Sequence, residues 1–101
     1  MNYEIQNGVL TFKFQYNPTA SNINEFLKYM YQIIDTKEIY DEVVMDFSEV
    51  QYVDSTGITF LIGIYRYLSK MKKSFRIINA RKEIVDLFEI VNMTNLFQVN
   101  Y

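Results

Sequence analysis

A chain of 101 residues suits one domain, and the sequence is read as a single domain over residues 1–101. Half of its residues are hydrophobic and 17% are aromatic, which favours a packed core and excludes a disordered chain. Without cysteine or histidine it has no disulfide, thiolate zinc site or imidazole base, and a net charge of −2 gives no reason to expect nucleic-acid binding.

The start at Met1 lacks the charged-then-apolar layout of a signal peptide, and no apolar run is long enough to span a bilayer, so no membrane is expected and the chain is placed in the cytoplasm. Tyr3 to Gln6 alternates, Asn7-Gly8 comes next, and Val9 to Tyr16 alternates again, with Leu10, Phe12, Phe14 and Tyr16 on one face. Asn-Gly between two such runs predicts a hairpin, because both residues tolerate positive φ. The stretch Asn17–Ser21, with the chain's one proline at Pro18, reads as a turn. Asn22 with Glu25 three residues on predicts a capping box at the start of a first helix, carried by Ile23, Phe26, Leu27, Met30 and Ile34 and ending near Asp35–Lys37.

The apolar run Val43–Phe47 predicts a strand, and a polar connection then leads to Asp54-Ser55-Thr56-Gly57. A second helix opens there and runs to about Met71. Ile58, Leu61, Tyr65 and Leu68 form one apolar stripe on it, and Phe60, Ile64, Tyr67 and Met71 form another, so it is either buried on two sides or offers one to a partner. Gly57 and Gly63 are expected to permit close backbone approach. Ser74–Asn79 predicts a strand. Ile84, Leu87, Phe88 and Val91 predict a third helix stopped by a left-handed Asn92, and Leu96–Val99 a short last strand. Lys70, Lys72, Lys73, Arg76, Arg81 and Lys82 are read as a solvated face rather than a binding patch.

The strand ending Met45-Asp46-Phe47-Ser48, then Val50, Val53 and Asp54-Ser55-Thr56-Gly57 opening a helix, resemble the signature of the STAS family of anti-sigma-factor antagonists. The resemblance runs from Val43 to Phe97. It implies an α/β fold, a STAS-like mixed sheet of four to five strands with helices packed mainly on one side. It also implies that Ser55 is phosphorylated by a partner that is both an ATP-dependent serine kinase and an anti-sigma factor, with a serine phosphatase reversing the mark. The chain is then a transcription-regulating, partner-switching phosphoprotein and not an enzyme. It acts as a monomer or weak dimer without cofactor or metal, and docks through Asp54, Ser55, Thr56, Gly57, Thr59 and Phe60. The family usually carries a glycine and an acidic residue near the end of its second strand; Gln15-Tyr16-Asn17-Pro18-Thr19 has neither.

From the residues alone, Asp54 or Ser55 is equally a helix cap, worth about 1 kcal/mol, and a capping residue can also be a phosphoacceptor. Three other readings stay open: an unphosphorylated STAS scaffold or sensor, an aspartic protease pairing Asp54 across a dimer, and a metal site from Asp46, Glu49 and Asp54.

Overall fold

The computed structural model describes residues 2–36 and 39–101. Asn7 and Gly8 adopt φ of 53° and 79°, as a two-residue hairpin turn requires. The turn joins β1 (Asn2–Gln6) to β2 (Val9–Lys13) antiparallel, with Tyr3 opposite Phe12 and Ile5 opposite Leu10. Three crossovers follow among the described residues. α1 (Ile23–Ile34) leads to β3 (Glu42–Asp46), α2 (Ser55–Lys70) to β4 (Ser74–Ile78), and α3 (Lys82–Ile90), with a 3-10 turn at Met93–Asn95 after it, leads to β5 (Gln98–Val99). The sheet order is β1-β2-β3-β4-β5, parallel from β2 onwards. Each crossover steps one strand in the same direction, and right-handed connections that do so put all three helices on one face.

The core lies between that face and the helices. Leu10, Phe12, Phe14, Val43, Met45, Phe47, Phe75 and Ile77 meet Phe26, Met30, Leu61, Ile64, Leu68 and Phe88 there. Side chains alternate along a strand, so Val44 points the other way and stands in register with Thr11 and Arg76. That outer face is mixed, with Val44 buried among polar neighbours, and carries the Arg76–Glu42 ion pair at 3.3 Å.

Several local expectations are corrected. The capping box does not form. Asn22 lies at φ −116° and ψ −21°, in the helical region, and its side chain makes no cap bond. From there the carboxamide does not reach the first-turn amides; its Nδ2 donates to Asn17 O at 3.0 Å, and the amides of Asn22 and Ile23 both bond Thr19 O at 2.9 Å. The helix ends at Ile34; Lys37, inside the expected terminus, lies outside the described residues. Strand β2 stops at Lys13, three residues before Tyr16, and Tyr16 is 60% exposed with its ring stacked on Phe26 instead of sharing the buried face. A methyl on Gly63 would meet nothing within 4 Å, so this glycine serves no close approach. Met71 lies past the end of α2 and is 38% exposed. The rest of both apolar stripes packs in or against the core, so α2 is buried on two sides.

The left-handed stop at Asn92 forms, with φ 61°. The basic residues scatter: Arg76 pairs with Glu42, Lys82 with Asp86 at 3.2 Å, and Lys73 sits 3.8 Å over the Tyr40 ring.

Candidate functional site

Helix α2 begins at Ser55 because Asp54 is extended, at φ −94° and ψ −179°, and caps the first turn. Its Oδ1 accepts the Gly57 N–H at 2.8 Å, the bond expected of a capping carboxylate. Its Oδ2 accepts the Ala20 N–H at 2.9 Å, from the loop between β2 and α1. The Ala20 amide first, then that of Gly57, hold the Asp54 carboxyl below its usual range. One short side chain therefore both starts the helix and fastens a second loop to it.

Two more ties join the same loops. Asn17 Oδ1 accepts the amides of Gln51 at 2.7 Å and Tyr52 at 3.3 Å. The Pro18 carbonyl lies so close to Gly57 that a Cβ there would stand 2.0 Å from its oxygen. Below the loops, Phe14 packs on Phe47 and Phe26, with ring centroids 5.2 and 5.6 Å apart.

On this base Ser55 is exposed in the first turn of α2, where backbone N–H groups lack helical partners and carry partial positive charge. Thr56 and Thr59 are exposed beside it, and Thr59 Oγ1 donates to Ser55 O at 3.0 Å. Gly57 is buried, and Phe60 is 7% exposed. Phe60 forms the floor of a shallow apolar groove of about 190 Å³, walled by Ile23 and Leu27 of α1 and by Thr56 and Thr59. Tyr16 and Tyr52, about 60% exposed, sit beside Asn17 in the two tied loops. The exposed side chains of Ser55, Thr56 and Thr59 and the groove thus lie together at the start of α2.

Asp46, Glu49 and Asp54 do not converge. Asp46 accepts from the Ser48 amide and Asn79 Nδ2, Glu49 lies 3.6 Å from Lys13, and Asp54 is committed to two amides. Among the described residues no cluster of three metal-ligating side chains forms. A helix-capping Asp54 is also unlike the facing turns that bring two protease carboxylates together. No helix among the described residues is long and apolar enough to cross a membrane.

The resemblance implied that the Gln15–Thr19 loop lies near Ser55, as it does, but sequence reasoning missed the bonds of Asn17, the approach of Pro18, the tie at Ala20, and the groove walls Ile23 and Leu27. The Asn-Pro pair signals a turn. Nothing in the sequence signals which amides, more than thirty residues away, its side chain will bind.

A one-sided mixed sheet of five strands, with an exposed serine opening the helix between β3 and β4, defines a small α/β module. The model of the STAS domain matches residues 1–100, and the chain belongs to that family. It is 32% identical over 82 residues to the anti-sigma-B factor antagonist of Staphylococcus aureus (strain NCTC 8325 / PS 47), covering 81% of this chain and 71% of that one. Among solved structures, an anti-sigma factor antagonist from Mycobacterium paratuberculosis superposes with a TM-score of 0.84 at 15% identity, over 98% of this chain and 82% of that one. The STAS domain of a SulP transporter from Vibrio cholerae superposes at 0.74 with 13% identity, over 97% of this chain and 77% of that one. At such identities the likeness to these structures is one of fold.

Proposed function

We propose that the chain is an anti-sigma-factor antagonist, a non-catalytic binding module that sequesters an anti-sigma factor and is switched by phosphorylation of Ser55. The relationship to the staphylococcal antagonist supports the role. The observation that carries the switch is the exposed Ser55 in the first turn of α2, directly after a cap that fixes it. Unmodified, the surface formed by Ser55, Thr56, Thr59 and the groove over Phe60 docks on an anti-sigma partner that is also a serine kinase. Asp54 and Gly57 shape that surface from below.

Phosphorylation adds about −1.5 to −2 charge and three acceptor oxygens. The positive start of α2 accommodates that charge within the free protein. A docked partner must strip water from it, beside the Asp54 carboxylate and an apolar groove. That desolvation costs on the order of several kcal/mol, and each ~1.4 kcal/mol is tenfold in affinity. The modified chain is thereby excluded, and a serine phosphatase restores it.

Pull-down of the anti-sigma kinase with wild type, Ser55→Ala and Ser55→Asp tests this. Wild type and Ser55→Ala should bind alike, and Ser55→Asp should bind at least about tenfold more weakly. Equal binding by Ser55→Asp removes charge exclusion as the switch. A second reading is an unphosphorylated STAS scaffold, favoured by the neutral Asn17 in a loop without an acidic residue. Its sign is an unmodified Ser55 after incubation with the kinase and ATP.

A further inference from the structure

We propose that Asn17 is a positioning residue for the phosphorylation of Ser55, an inference that rests on the reading of Ser55 as phosphoacceptor. One side-chain oxygen, Asn17 Oδ1, accepts both the Gln51 amide at 2.7 Å and the Tyr52 amide at 3.3 Å. These amides belong to the irregular connection between β3 and α2, where neither sheet nor helix offers them a partner. A carboxamide oxygen has two lone pairs and can take both. Asn17 is itself held, because its own carbonyl accepts Asn22 Nδ2 at 3.0 Å.

The connection is then fastened to the β2–α1 loop at intervals: at residues 51 and 52 by Asn17, at 54 through the Ala20 amide, and at 57 by contact with Pro18. Ser55 lies between the last two ties. Asn17 is distant in sequence, is not bonded to the Ser55 hydroxyl, and acts by fixing the backbone that leads into it. Phosphoryl transfer depends on in-line placement of the attacking oxygen, and a shift of about 1 Å can cost roughly a hundredfold in rate.

What matters at this position is an acceptor at the right reach, not a charge. Aspartate keeps both acceptor sites, alanine removes them, and glutamine moves the oxygen outward by one methylene. Kinetics of Ser55 phosphorylation by the kinase that modifies the wild-type chain, with labelled ATP, separate these cases. Asn17→Ala should lower kcat about tenfold or more while KM changes little, as expected when placement and not docking is lost. Asn17→Asp should return kcat to within about threefold of wild type, while Asn17→Gln should not.

In the unmodified wild-type chain the Gln51 amide should exchange slowly with deuterium. Wild-type kcat in folded Asn17→Ala, failure of folded Asn17→Asp to recover, or free-peptide exchange at Gln51 would each overturn the inference. Should Asn17→Ala not fold, the Asp and Gln variants and the exchange measurement still decide it. Phosphate missing from wild type itself sinks the reading of Ser55 and this inference with it; phosphate added equally fast to wild type and Asn17→Ala sinks the inference alone.

Discussion

Asp54 joins two segments with one carboxylate, and its charge matters because both bonds run from backbone amides to an anion. Those amides, Ala20 first, hold its carboxyl below the usual value. A carboxyl depressed in the folded state stabilises above its unfolded pKa, near 4, and that contribution is lost as pH falls through the folded value. Asp46 adds a second acid-sensitive group: burial pushes its carboxyl up, but the Ser48 amide, Asn79 and Lys13 together bring it below the ordinary value. Asp54→Asn isolates the first contribution, since asparagine keeps a capping oxygen but offers Ala20 an amide where the second oxygen stood. Melting temperatures should show the variant less stable than wild type at pH 7. The gap should narrow as pH drops below about 4; a gap of constant size down to pH 3 would mean that the carboxylate charge contributes nothing.

Helix α2 holds two glycines with opposite roles. A methyl on Gly57 would collide with the Pro18 carbonyl at 2.0 Å and with Val53 Cγ1 at 2.7 Å, and a backbone carbonyl yields only if its loop moves. Gly57→Ala should therefore destabilise by about 1–3 kcal/mol, the usual range for overpacking. Gly63 faces open space, and alanine there removes only the backbone-entropy penalty of glycine in a helix. Gly63→Ala should stabilise by about 0.5–1 kcal/mol. Urea denaturation of both variants checks the contrast, and equal effects of one sign would show that the tight approach at Gly57 is misplaced. Helix α1 supplies the complementary case. Its apolar periodicity was legible in Ile23, Phe26, Met30 and Ile34, and its start after Asn22 was too; the capping box was not, because the amides of Asn22 and Ile23 bond the Thr19 carbonyl and the Asn22 side chain turns to Asn17.

For the whole molecule, the site stands on the connection leaving the β3 end of a sheet whose helices all lie on one side, over the Phe14–Phe26–Phe47 cluster. A phosphate placed on Ser55 would therefore stand on a connection tied to the β2–α1 loop through Asn17 and Ala20. The helix start favours negative charge by about 0.3–1 kcal/mol, and repulsion from Asp54 works against that gain. The net change in fold stability should stay under about 1 kcal/mol, a melting shift of less than about 4–8 °C for a domain of this size. Calorimetry of the chain carrying genetically encoded phosphoserine at position 55, beside the unmodified chain, measures it. A larger drop would mean that the phosphate opens the tied loops and does not act at the docking surface.

Sequence by itself determined what depends on neighbours along the chain. Alternation around Asn7-Gly8 specified the hairpin, the period of α2 specified two apolar stripes, and Asp54-Ser55-Thr56-Gly57 after an apolar strand marked the helix start and its hydroxyl. Each signal lies within a few residues of the structure it describes, where local sterics and hydrogen bonding decide the outcome. Tertiary structure alone decided that Asn17 would hold Gln51 and Tyr52, that Asp54 would reach back to Ala20, that Gly57 but not Gly63 would be pressed by another loop, and that Leu27 would border a groove instead of filling the core. These facts depend on how two connections come to lie side by side once β2 and β3 have paired. A side-chain oxygen carries no mark in the sequence of which distant amide it will meet.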